Sequence, residues 1–169
     1  MTTTITPCLW FDDLEEAAEF YVAVFPNSSV GEFARYTDAG PGKPGDIAYG
    51  TFVLDGNRFL GINGGPQFPF TEAVSFEVRC ADQAEVDHYW SKLVDGGEES
   101  QCGWLKDRYG LSWQIVPERL YELLDDPDPA RVAAATTAML AMQKIVVADL
   151  EQAVAQIAGP SRSSASLMM

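Results

Sequence analysis

The chain has 169 residues, 47% of them hydrophobic, enough for one domain with a packed core and too apolar for a disordered segment. A formal net charge of −14, with only 11 scattered Lys and Arg, disfavours nucleic acid and anionic membrane as partners, because both demand clustered cations. MTTTITP has neither the basic nor the apolar region of a signal peptide, and no apolar run is long enough to span a bilayer, so a cytoplasmic protein is expected.

In chain order, Ile5 to Phe11 alternates as a strand, with Ile5, Pro7, Leu9 and Phe11 on one side and Thr6, Cys8 and Trp10 on the other. Asp12 and Asp13 supply helix N-cap chemistry, and Leu14, Ala17, Ala18, Tyr21, Val24 and Phe25 form the apolar stripe of a helix that stops at Pro26-Asn27. Strands are predicted at 28–37, 47–54 and 58–63. The loop AGPGKPGD joins the first two of these and a tight Asp55-Gly56 turn the last two.

At Val74 the pattern restarts. Val74, Phe76, Val78 and Cys80 face away from Ser75, Glu77 and Arg79, and Asp82 caps a helix with Val86, Tyr89, Trp90, Leu93 and Val94 in its stripe. Gly96-Gly97 ends that helix. A short strand at 98–102 and a hairpin follow. The hairpin has Trp104 and Lys106 on one arm, the turn Asp107-Arg108-Tyr109-Gly110, and a second arm from Leu111 to Val116. On that arm Leu111, Trp113 and Ile115 suit a core, and Ser112, Gln114 and Val116 point the other way. A shift of 69 residues superposes the two starts, Asp13 on Asp82 and Val24 on Leu93, so a strand–helix–strand–strand–strand unit is read twice.

Beyond Pro117 the chain turns helical, with Leu120, Tyr121, Leu123 and Leu124 in a short helix broken by Asp-Pro-Asp-Pro at 126–129. A second helix takes Asp128 as N-cap and Pro129 at its first position, with Val132, Ala135, Met139 and Met142 as a stripe, and a third piece begins at Asp149. The expected organisation is a tandem domain over 1–118 (modules at about 5–64 and 74–117), a helical extension over 119–158 and a tail over 159–169. Cys8, Cys80 and Cys102 make neither a CxxC pair nor an even set, so buried reduced thiols are expected. The lone His88 excludes any site needing two imidazoles, and it lies off its helix's buried stripe.

The segments LWFDDLEEAAEFYVAVFP, VSFEVRCADQAEVDHYWSKL and CGWLKDRYGLSWQIVP, set in two βαβββ modules, resemble the vicinal-oxygen-chelate superfamily of glyoxalase I, extradiol dioxygenases and the bleomycin- and fosfomycin-resistance proteins. Within it the likeness is to the PhnB-like group, often labelled 3-demethylubiquinone-9 3-methyltransferase. The resemblance implies an α+β fold in which the modules form a curled, barrel-like mixed sheet around a cavity, with C-terminal helices added. It also implies a homodimer, as members with short modules commonly pair.

In this superfamily the first and last strands of a module each offer one metal ligand to the cavity. By that likeness the places fall on Thr6, on Ser75 and on Gln114, where glutamate is usual. Two hydroxyls and an amide are weak donors for a divalent ion, so no metal and no other cofactor is expected. Strand parity gives the ligand-binding wall as Thr6, Cys8, Trp10, Ser75, Arg79, Ser112 and Gln114, with Glu77 as candidate general acid or base. Whether Trp104 and Lys106 face the cavity stays open, and so does whether Glu77 is catalytic or simply pairs with Arg79. The expected function is a small-molecule-binding PhnB-like protein lacking the usual metal site, which sequesters or modifies a small organic ligand. The alternative is a metal-dependent or general-base enzyme of the superfamily, an isomerase, lyase or methyltransferase. The glycine-rich pieces GPGKPG and GINGGP are flanked by strands or loop and lack the strand-to-helix context of a methyl-donor site.

Overall fold

A computed structural model describes residues 5–157; the expected tail at 159–169 lies outside the described residues. The fold is α+β. Its first half runs β1 (Cys8–Phe11), α1 (Leu14–Val24), β2 (Ser29–Arg35), β3 (Ile47–Leu54) and β4 (Asn57–Asn63). The second half runs β5 (Ser75–Cys80), α2 (Gln83–Leu93), β6 (Glu98–Glu99), β7 (Trp104–Lys106) and β8 (Ser112–Pro117), followed by α3 (Glu118–Leu124), α4 (Pro129–Leu140) and α5 (Val147–Ala155).

Among the described residues the strands make two four-stranded sheets and no closed barrel. Their orders, β1-β4-β3-β2 and β5-β8-β7-β6, are the same permutation of successive strands. The helices repeat as well: Leu14 to Gln83 and Val24 to Leu93 are both separations of 69 residues. So do the caps, with Asp13 accepting from the Glu16 amide at 3.1 Å and Asp82 from the Glu85 amide at 3.0 Å. By compactness the chain divides into two units. One comprises the residues up to Ser75 together with Lys92–Gly97 and Lys106–Ser112; the other comprises Phe76–Ser91, Glu98–Leu105 and the chain from Trp113 on.

In the first unit β1 runs parallel to β4, and β4, β3 and β2 follow antiparallel. The predicted stripe of α1 (Leu14, Ala17, Ala18, Tyr21, Val24 and Phe25) is buried throughout, as are Leu9 and Phe11 on β1. Gly61 on β4 lets the helix approach, because a Cβ there would sit 2.1 Å from Leu14 Cδ1.

In the second unit Val116, Leu120, Leu123, Ala135, Ile145, Leu150 and Val154 form one apolar cluster, with Met139 and Met142 packed against it. Asp128 caps α4 through the Ala130 amide at 2.9 Å, with Pro129 at the first position as expected. Helix α5 starts two residues before the expected Asp149, because the Gln83 side chain accepts from the Val147 amide at 2.8 Å and donates to the Ile145 carbonyl at 3.1 Å. Leu111, just before β8, and Trp113 and Ile115 on it are buried as expected, but so are Ser112 and Val116, the latter within the helical cluster. The expectation of three buried thiols is corrected: Cys80 is buried, Cys102 half-buried and Cys8 exposed, all three free. Cys8 sits on the face of β1 opposite Leu9 and Phe11, which alone enter the core. Among the described residues no helix is long and apolar enough to cross a membrane.

Candidate functional site

Trp10 points away from the buried Leu9 and Phe11 of its own strand, as strand alternation requires. Its indole Nε1 donates to the Gly65 carbonyl at 2.7 Å, while the Gly64 and Gly65 amides donate to the Phe11 carbonyl at 3.0 and 3.2 Å. Gly64 is where the ring needs room, since a Cβ there would stand 2.0 Å from Trp10 Cζ2. Gly65, at φ 77°, takes the left-handed conformation that turns the chain over the ring. The run GINGGP is thus the seat of a tryptophan.

Around that indole the first unit opens a cleft of about 520 Å³, lined by Trp10, Phe11, Asp12, Asp13, Glu16, Gly65, Pro66, Phe68, Pro69, Phe70, Arg108 and Tyr109. Phe68 meets Trp10 edge-on, with ring centroids 4.8 Å apart, and Phe70 meets Phe11 at 5.5 Å. Tyr109 lies edge-on to Phe11 at 6.1 Å and to Phe20 at 5.7 Å. Phe68 is 62% exposed, a large apolar ring left at the mouth.

The turn that supplies Arg108 and Tyr109 is anchored from inside. Asp107, 3% exposed, accepts the Tyr21 hydroxyl at 2.7 Å and the amides of Tyr109 and Leu111 at 2.9 and 3.1 Å. A buried phenol and a buried carboxylate that complete each other's hydrogen bonding hold the turn in one place. Burial first, then Asp107, pushes the Tyr21 phenol well above its ordinary pKa. Gly110 at φ 82° closes the turn as the sequence predicts. Lys106, whose facing the sequence left open, pairs with Glu72 at 2.6 Å and holds that carboxyl below its ordinary range.

Three carboxylates line the cleft against one guanidinium. Asp13 is occupied with its cap, and Glu16 accepts the Tyr109 hydroxyl at 3.3 Å. The Tyr109 phenol is pushed up to about 12, by burial first and then by Glu16. Arg108 is bound to the Asp95 carboxylate and to its carbonyl, the latter at 3.1 Å, and lies 4.6 Å over the Phe20 ring.

Of the residues expected at the ligand wall, Trp10 lines this cleft. In the same unit Thr6 and Ser75 are half-buried, Cys8 is exposed with its thiol pKa raised by burial, and Ser112 is 1% exposed. The Ser112 Oγ has no hydrogen-bond partner among the described residues. In the second unit Gln114 is half-buried, and Glu77 and Arg79 are exposed and joined at 3.3 Å. Tyr121 completes that pair, donating to Glu77 at 2.7 Å with the Arg79 guanidinium 4.6 Å from its ring centre. Glu77 raises the pKa of both partners by hydrogen bonding to them. Among the described residues no group of three or more His, Cys, Asp or Glu is placed to hold a metal ion. The sequence pointed to Trp10 but missed Asp12, Glu16, Phe68, Phe70, Arg108 and Tyr109. The close aromatic spacing at 68 and 70, in a segment too rich in Pro and Gly for a strand, was the available signal.

A family model described as 3-demethylubiquinone-9 3-methyltransferase matches residues 3–116. The chain belongs to that PhnB-like family. The PhnB protein of Bacillus cereus is 35% identical, covers 68% of this PhnB-like chain and 99% of its own, and superposes with a TM-score of 0.61. Protein PA1353 of Pseudomonas aeruginosa, 20% identical over 69% of this chain and 98% of its own, shares the fold at a TM-score of 0.56. The fosfomycin resistance protein FosX of Listeria monocytogenes, 15% identical over 75% of this chain and 99% of its own, shares it at 0.54. Curated proteins give no significant match. These likenesses place the PhnB-like chain on the vicinal-oxygen-chelate fold.

Proposed function

We propose that this PhnB-like protein binds a small organic molecule in the aromatic cleft around Trp10, and that it does so without the divalent metal usual in its superfamily. The observation that carries the reading is the indole fixed by Gly64 and Gly65 beside an exposed Phe68, in a cleft of about 520 Å³. Volumes of this order and a lining of aromatics with a few polar groups suit a small ligand. Thr6, Cys8, Ser75 and Ser112 of the same unit, and Arg79 and Gln114 of the other, lie outside this cleft lining, and a ligand-binding role for them is a separate proposal. The donor set at Thr6, Ser75 and Gln114 does not fit a tightly held divalent ion, because hydroxyls and an amide replace the imidazole and carboxylate such an ion prefers. Methyl transfer is not favoured either: Gly40–Gly45 joins β2 to β3, and Gly64-Gly65 serves Trp10 rather than a strand-to-helix turn.

The test is a screen of small aromatic and aliphatic compounds by protein-observed NMR on the wild type and on Phe68→Ala. Ligands that shift the Trp10 indole N–H and lose affinity in the variant support the reading. A screen that leaves that resonance unmoved overturns it. Elemental analysis of the purified protein checks the metal proposal, which a stoichiometric transition metal would defeat.

A second reading rests on Glu77, whose 2.7 Å hydrogen bond from Tyr121 gives a proton donor and acceptor on one exposed surface. General acid–base chemistry there predicts that Glu77→Gln abolishes turnover while leaving ligand affinity within about twofold.

A further inference from the structure

The polar groups of the cleft are biased to one sign, and that bias names a ligand class. Asp12, Asp13 and Glu16 face a single cation, Arg108, which already holds Asp95. An anion drawn to the start of α1 would find the Leu14, Glu16 and Ala17 amides taken. The Leu14 amide donates to Asn63 Oδ1 at 2.8 Å, the Glu16 amide to Asp13 at 3.1 Å and the Ala17 amide to the Asp13 carbonyl at 3.2 Å. Three of the first-turn donors are thus satisfied within the protein, and the three carboxylates add negative charge to the cleft beside them.

Asp12 is the telling residue. It is exposed and is not the cap, and no side chain among the described residues pairs with it. The rings of Trp10 and Phe68 line the same cleft, and aromatic faces attract a cation through their quadrupole while offering apolar area to its alkyl groups.

We infer that the cleft takes the ammonium end of a small organic cation, a tertiary or quaternary amine with an apolar body, with Asp12 and Glu16 opposite the charge and Trp10 and Phe68 against its alkyl groups. The inference rests on the binding reading above. Recognition needs no proton transfer and no metal. Because the carboxylates are near solvent, the charge contribution weakens as salt screens it.

The experiment is calorimetric titration of the purified protein with benzyltrimethylammonium, benzyl alcohol and benzenesulfonate, at low and at physiological ionic strength, in the wild type, Asp12→Asn and Phe68→Ala. The expected order places the ammonium about tenfold tighter than the alcohol, with the sulfonate weakest, and the gap narrowing as salt rises. Asp12→Asn lowers ammonium affinity about fivefold and leaves the alcohol unchanged, whereas Phe68→Ala weakens both. Both side chains are exposed, so both variants fold. If the alcohol or the sulfonate binds as well as the ammonium, and Phe68→Ala weakens it, the cation inference fails and the binding reading stands. If no probe binds, or Phe68→Ala changes nothing, the binding reading itself fails.

Discussion

Gly61 and Gly64 hold the site together by what they lack. Alanine at either would place a Cβ within 2.1 Å or 2.0 Å of Leu14 or Trp10, and neither neighbour can retreat without disturbing the seat of α1 or of the indole. Each substitution is expected to cost about 1–3 kcal/mol by denaturant titration, and Gly64→Ala also to shift the fluorescence of Trp10. The Tyr21–Asp107 pair is the matching case for a polar contact. Tyr21→Phe keeps the Tyr109 and Leu111 amides on Asp107 but removes the hydroxyl donor, an expected loss of about 1–3 kcal/mol. Tyr109 and Cys80 both have pKa values pushed up to about 12, and Tyr21 is raised too, so their neutral forms are favoured in the fold. The unfolded chain releases these protons first, from about pH 9 for the thiol and about pH 10 for the phenols. Stability is therefore fully present below about pH 9 and declines as pH rises toward 12. Denaturation midpoints measured from neutral pH upward check this, and Tyr109→Phe flattens the decline.

At the scale of elements the two halves share a start: strand, aspartate cap, and helix at a constant offset of 69 residues. Asp13→Ala and Asp82→Ala are each expected to destabilise by about 1 kcal/mol, since each removes the acceptor of one first-turn amide. The halves diverge after their helices. β2 and β3 are long, whereas β6 and β7 are short, and a constant shift read from sequence fails from that point. The hairpin from Trp104 to Pro117 forms with the predicted turn. Its Asp107 is more than a turn residue, because a tyrosine 86 positions earlier needs a buried acceptor. Helix α5 begins earlier than its own residues indicate because its cap comes from Gln83, 64 positions upstream.

For the molecule as a whole, a net charge of −14 and membership of the PhnB-like family frame two expectations. We propose a cytoplasmic homodimer, following the resemblance to dimeric members with short modules. Light scattering at micromolar concentration is expected to return twice the 18.5 kDa chain mass, and a monomeric mass removes the proposal.

The sequence by itself determined the elements and their order. Strand alternation and the helical stripe are local periodicities, so Leu14 to Phe25 could be assigned to a core face without knowing what they touch, and the repeat followed from them. It determined the family likeness, and it singled out Trp10 among the cleft residues. What only the tertiary structure decided are pairings between residues far apart in the chain: Trp10 with Gly65, Tyr21 with Asp107, Glu16 with Tyr109. The separation of the strands into two sheets is of the same kind, because the partner of a strand edge is not encoded by that strand's own alternation. Asp12 in the sequence is one acid beside another. Once Asp13 is seen capping α1 and Glu16 holding Tyr109, Asp12 is left facing an aromatic cleft without a cation of its own.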